Sequence, residues 1–106
     1  MHQHSLAIER AVDLLACMAH PVRLAVLARL HRVGPTDVGT LQRELEVEQS
    51  ALSHHLRHLR NARLVAGERH GKRVTYSLLD AHVGCIVEDT LRHAAETEHE
   101  TTSERP

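Results

Sequence analysis

Aromatic side chains are almost absent from this 106-residue chain: Tyr76 stands alone, with no Trp and no Phe. A single domain of this length must therefore build an aliphatic core. Cysteine is also scarce. Cys17 and Cys85 have neither CxxC spacing nor the density of a disulfide-stapled domain, so both are expected to be buried, small apolar residues. No apolar run approaches the ~20 residues that span a bilayer, and the N-terminus lacks a signal-peptide core, which points to a cytoplasmic protein without a membrane partner. HExxH, a Gly-rich phosphate loop and a supported Ser-His-Asp set are all missing, and a small core leaves little room for a substrate cavity. No catalytic residue is expected, and the chain is not expected to be an enzyme.

Net charge is close to zero, but charge is unevenly placed. Residues 54–73 carry Arg57, Arg60, Arg63, Arg69, Lys72 and Arg73 against Glu68 alone, while residues 96–104 carry Glu96, Glu98, Glu100 and Glu104 with no Lys or Arg. A basic middle and an acidic end imply one surface for an anionic partner and one that repels it. Histidine is abundant, concentrated at 2–4, 54–58 and 82–99.

Hydrophobic spacing predicts the elements. Leu6, Ala7, Ala11, Leu14, Leu15 and Met18 mark a first helix from about Ser5 to Ala19. His20-Pro21 breaks it, and Pro21 suits the first turn of a second helix that carries Leu24, Val26, Leu27 and Leu30 and ends near Gly34-Pro35. A short third helix from about Asp37 to Leu45 buries Val38, Leu41 and Leu45. The fourth, from about Gln49 to Ala62, points Leu52, Leu56 and Leu59 inward. Leu64–Glu68 and Val74–Leu79 flank His70-Gly71-Lys72-Arg73 as a hairpin with a basic tip. A last helix from about Asp80 to Ala95 offers Val83, Ile86, Val87, Leu91 and Ala94 for packing, with Asp80 a good N-cap. Residues 1–4 read as a flexible arm bearing His2 and His4, residues 5–97 as the folded domain, and residues 98–106 as an acidic, disordered tail.

Helix, short turn, helix and basic hairpin is the order of a winged helix-turn-helix: mainly α, with a small β-hairpin. The exposed face of the fourth helix offers Gln49, Ser50, Ser53 and His54 to base edges in a major groove. Arg57 and Arg60 follow at phosphate distance, and Lys72 and Arg73 at the hairpin tip would reach phosphates or a minor groove.

The last helix carries a second pattern. Asp80 and His82 are followed eleven residues later by His93, and then by Glu96. Eleven residues make about three turns, so the two imidazoles share a face but lie about 16 Å apart along the axis. One ion does not bridge that distance within one chain. Two such helices packed antiparallel would bring Asp80 and His82 of one protomer beside His93 and Glu96 of the other, giving two equivalent sites in a two-fold homodimer.

The run from Gln49 to Arg60, with Leu64-Val65, Gly71-Lys72-Arg73 and Tyr76-Ser77-Leu78, resembles the ArsR/SmtB family of metal-responsive regulators. His20-Pro21-Val22-Arg23-Leu24 resembles the start of that family's second helix. The resemblance spans about residues 5–97 and implies a winged-helix homodimer, joined through its first and last helices, that represses metal-efflux or detoxification genes. It implies that Gln49, Ser50, Ser53 and His54 begin the recognition helix, and that Asp80, His82, His93 and Glu96 form the metal site between the last helices. The operator would be double-stranded DNA with an imperfect inverted repeat. A further site in the family uses cysteines in the third helix; Leu41–Val47 has none, which disfavours thiolate-seeking ions there.

Imidazole and carboxylate ligands suit Ni(II), Co(II) and Zn(II). The four residues suffice for tetrahedral Zn(II), whereas a six-coordinate ion needs more donors, which His2 and His4 would supply if the arm folds onto the last helix. Glu48-Gln49-Ser50 and the N-terminal histidines are similar to nickel- and cobalt-sensing members; Glu96, where many of those have His, is similar to zinc-type members. Ni(II) or Co(II) is favoured, with Zn(II) next. The alternative is a member without metal sensing that responds to redox through Cys17 or Cys85. Repressor and activator would use the same residues.

Overall fold

The computed structural model describes the backbone of residues 5–104 and the side chains of residues 5–97; His2 and His4 lie outside the described residues. Helix α1 (Leu6–Met18) begins at Ser5, whose hydroxyl accepts the Ile8 N–H at 3.2 Å. It stops before His20-Pro21, because the proline ring drives the preceding residue into the extended region, where His20 sits at φ −150°, ψ 135°. The axis then turns by 95° into α2 (Pro21–Val33), which ends at Gly34 with φ +90°. Among the described residues, no single helix is long and apolar enough to cross a membrane.

Strand β1 (Thr36–Asp37) leads directly into α3 (Val38–Leu45), which Asp37 caps by accepting the Thr40 N–H at 3.2 Å and the Thr40 hydroxyl at 2.7 Å. A turn through Glu46, in the left-handed region at φ 53°, brings in α4 (Gln49–Asn61). Strands β2 (Val65–His70) and β3 (Arg73–Leu78) pair antiparallel around Gly71, whose φ of +66° suits the tight two-residue loop. Helix α5 (Ala81–Glu104) closes the chain.

The expected hairpin is thus part of a three-stranded sheet of order β1-β3-β2, in which Thr36 pairs with Tyr76 and Asp37 with Thr75. Two residues are too few to show a period-2 pattern, so β1 was invisible to hydrophobic spacing. The last helix also runs to Glu104 rather than ending near Ala95. Its final turns carry Glu and Thr without apolar residues, so nothing periodic marks them, although Glu itself is a good helix former.

The core is aliphatic apart from Tyr76. Val26, Leu27 and Leu30 of α2 meet Leu41 of α3, Leu52, Leu56 and Leu59 of α4, Val65 of β2 and Val87 of α5. A Cβ on Gly67 would stand 3.0 Å from the Tyr76 ring, so glycine at that strand position lets the ring lie close over the sheet. Arg29 of α2 grips Glu44 of α3 with two parallel bonds, the Nη2–Oε2 one at 2.9 Å.

Two helices are poorly covered. Of α1's apolar residues only Met18 is buried, and on α5 Ile86 and Leu91 face outward. The radius of gyration is 16.0 Å, against about 13 Å for a compact domain of this length. Cys85 departs from the expected burial: it lies exposed beside Ile86 on that open flank, while Cys17 is half-buried, and both are free thiols.

Candidate nucleic-acid interface and metal-ligand positions

Helix α4 separates its two faces as its sequence predicts. Leu52, Leu56 and Leu59 seat it on the core, and Gln49, Ser50, Ser53, His54, Arg57 and Arg60 are exposed. The hairpin curls so that its tip faces the same helix. Gln49, Ser53, Arg57, Arg60, Lys72 and Arg73 line one cleft of about 520 Å³. Ser50 and His54 line the neighbouring hollow with Gln49, Ser53 and Arg57. Eight side chains from α4 and the tip of the hairpin that follows it therefore form one surface with four cations, of the kind that engages phosphates.

Two acidic residues also belong to this surface, neither of which the sequence marked as part of it. Glu48, preceding α4, accepts the Ser50 hydroxyl at 2.6 and 2.9 Å, and that bond holds its carboxyl below the usual range. A carboxylate at this end of the helix can accept from a cytosine amino group. Asp37 also lines the cleft. Its carboxyl is also held low, first by the Thr40 hydroxyl and backbone N–H, with a smaller effect from Arg73. The Asp-x-x-Thr spacing signals the cap; only the fold shows that the cap faces the wing.

The metal-ligand candidates fall into two pairs. Asp80 Oδ1 accepts the His82 backbone N–H at 2.8 Å and meets His82 Nδ1 at 2.9 Å. The first of these bonds is the main reason the Asp80 carboxyl sits below its ordinary range. Asp80 thus performs the capping role and also orients an imidazole whose Nε2 meets no partner among the described residues; the His82 side chain is 90% exposed. A carboxylate on the second ring nitrogen is how ligating histidines are usually held. His93 and Glu96 are exposed one turn apart, further along the same helix. Among the described residues, no three His, Cys, Asp or Glu side chains lie close enough to hold one ion.

Comparison with known proteins bears on what such a surface does. A model of the bacterial regulatory protein arsR family matches residues 20–66, from the His20 cap to the start of β2. The transcriptional regulator NmtR of Mycobacterium tuberculosis is 41% identical over 90 residues, covering 85% of this chain and 74% of NmtR. The chain belongs to the ArsR/SmtB family. The repressor SmtB of M. tuberculosis is 40% identical over 89 residues, covering 84% of the chain and 65% of SmtB. HlyU of Vibrio cholerae, described as a transcriptional activator, has a solved structure that superposes with a TM-score of 0.77 at 36% identity, covering 84% of the chain and 96% of HlyU. The chain is accordingly a winged helix-turn-helix transcriptional regulator of a DNA-binding, non-enzymatic family. ArsR/SmtB relatives include both a repressor and an activator, so family membership alone leaves the direction of control open.

Proposed function

We propose that this regulator is a homodimer that represses metal-efflux or homeostasis genes and leaves its operator when a divalent ion, Ni(II) or Co(II) ahead of Zn(II), binds between the protomers. The observation that carries the reading is the layout of α5. Ile86, 46% exposed, and Leu91 lie between the Asp80/His82 pair and the His93/Glu96 pair on one continuous helix. An antiparallel crossing near residues 87 and 88 buries those apolar side chains and sets each His82 against the partner's His93. The bare face of α1, with Leu6 61%, Val12 57% and Leu15 53% exposed, supplies further area for the same contact.

Each chain then contributes two half-sites of imidazole and carboxylate, a donor set that fits Ni(II), Co(II) and Zn(II). His2 and His4 are the proposed source of extra ligands for a six-coordinate ion. A bound ion supplies a cross-link between protomers. Gln49, Ser50, Ser53 and His54 read base edges, Arg57 and Arg60 hold phosphates, and Lys72 and Arg73 hold phosphates or an adjacent minor groove in each half of an imperfect inverted repeat. If the cross-linked angle between the two winged domains mismatches successive grooves, affinity drops by a coupling energy of about 1–3 kcal/mol.

Titration of the reduced apo-protein with Co(II), read by its visible spectrum and followed by competition with Ni(II) and Zn(II), tests the assignment. Weak bands, Ni(II) as the strongest competitor and loss of the response on deleting residues 1–4 support a six-coordinate nickel or cobalt sensor. Intense bands with Zn(II) strongest support the four-ligand zinc reading. No binding removes the chain from the metal-sensing class and favours redox response through Cys17 or Cys85.

A further inference from the structure

His20, His54, His55 and His58 meet where α1 turns into α2 against α4, on elements separate from the metal-ligand positions of α5. The His20 and His55 rings lie 4.2 Å apart between centroids, and His54 packs on His55 and His58 at 5.7 and 4.5 Å. The Nδ1 atoms of His20 and His55 are both committed as acceptors. His20 Nδ1 accepts the Val22 N–H at 3.2 Å and so caps α2. His55 Nδ1 accepts the Arg23 Nε–H at 3.0 Å. Neither donor gives up its proton, one being a backbone amide and the other a guanidinium. Both imidazoles must therefore be neutral, with the proton on Nε2, for this arrangement to exist.

Arg23 also donates through Nη1 to the Cys17 carbonyl at 3.2 Å, and the Cys17 thiol donates to the His58 carbonyl at 3.6 Å. One network thus joins the end of α1, the start of α2 and the middle of α4. His55 is its buried member, 9% exposed, in the same helix as the core residues Leu52, Leu56 and Leu59. The groups acting on it are all basic: His20, the cap of α2, Arg23 within α2, and His54 and His58 of α4; the Cys17 thiol and carbonyl at the end of α1 face Arg23. Burial first, and then His20 and Arg23, hold the His55 imidazole below its ordinary pKa. A proton on its Nδ1 would set N–H against N–H and a second cation against Arg23.

We propose that the His20–Arg23–His55 network is a proton-sensitive latch, which seats α4 on α2 at neutral pH and lets it go in mild acid, so that acidification weakens DNA binding without any metal. The proposal rests on α4 being the recognition helix. Its sign is distinctive. Protonating surface histidines adds positive charge and, by simple electrostatics, tightens binding to phosphates; the latch weakens it.

The test uses a duplex enriched from a random library by the full-length protein at pH 7.5, with its affinity measured by fluorescence anisotropy from pH 8.0 to 5.5 in EDTA. Wild-type affinity is expected to fall by about tenfold or more across this range, the scale of one coupled proton over one pH unit. His20→Asn with His55→Asn places a non-titrating carbonyl oxygen near each Nδ1 and keeps a good N-cap; this double variant is expected to bind at pH 8.0 and to lose the fall. Wild-type affinity that stays flat or tightens in acid overturns the latch, as does a double variant that retains the full fall. If the double variant fails to bind at pH 8.0, imidazole nitrogen–proton correlation spectra of the wild type decide. Nδ1 of His20 and of His55 must both be unprotonated at pH 7.5, and protonation of His55 must coincide with shifts of the α4 amides. A proton on either Nδ1, or α4 amides that stay put, overturns the proposal. If no duplex is enriched, it is the recognition-helix reading that fails, and the same spectra still decide whether the latch exists.

Discussion

Ser53 and His54 stand exposed near the start of α4, the His54 ring resting on His55 and His58, and truncating either leaves in place the leucines that seat the helix on the core. Ser53→Ala and His54→Ala are expected to weaken binding to the selected duplex by about 1–3 kcal/mol each, while Co(II) binding is unchanged. Isothermal titration with DNA and with Co(II) checks both halves of that statement. Arg57→Ala is expected to differ in kind. Its loss should weaken all duplexes alike and reduce the slope of log K against log salt by about one, the signature of a single phosphate contact. At this scale the exposed residues of α4 were legible because three leucines at helical spacing define its buried face. His55 was not. Its burial depends on Arg23, thirty-two residues away in sequence, donating to its ring, and no local pattern reports such a partner.

Among the elements, α5 carries the heaviest burden, since it holds three of the four metal-ligand candidates, is capped by the fourth, Asp80, and packs on α2. That packing passes through Gly84. A Cβ there would stand 2.2 Å from His31 Nδ1 and 2.7 Å from His31 Cγ, so the whole His31 ring, not only its far edge, would have to move. Gly84→Ala gains about 1 kcal/mol of helix propensity, and overpacking costs about 1–3 kcal/mol. A net loss of stability is expected, seen as a lower thermal midpoint; a higher midpoint would mean that His31 swings clear. Element boundaries were legible where chemistry marks them. Pro21 starts α2, Gly34 ends it, Asp37 caps α3 and Gly71 turns the hairpin. They were not legible where pairing is the only marker, as for β1 against β3, or where a helix continues on propensity alone, as α5 does beyond Ala95.

For the molecule as a whole, stability should depend on pH in two steps. His55 and His58 titrate below the ordinary imidazole value, burial being the first cause in each, followed by His20 and Arg23 for His55 and by Arg23 for His58. A base with a depressed folded pKa takes up its proton more readily when unfolded, so its contribution is fully present above about pH 6.5 and is lost as pH falls. Asp37, Glu44, Glu48 and Asp80, also held below their usual values, add a second loss below about pH 4. Urea midpoints across pH 8 to 3 should fall in that order, and a rise between pH 7 and 5.5 would contradict the histidine assignment. The open flanks of α1 and α5 and the 16.0 Å radius of gyration make a second copy of the chain the natural cover. The metal site divided between two copies is the central claim, and mixing two defective proteins tests it most directly. His82→Ala and His93→Ala, each alone, should bind no Co(II) at the site. Unfolded together in equal amounts and refolded, they should recover about a quarter of wild-type binding, because half the dimers are mixed and each of those keeps one intact site. Zero recovery in a mixture shown to contain mixed dimers, or normal Co(II) binding by His93→Ala alone, would contradict it.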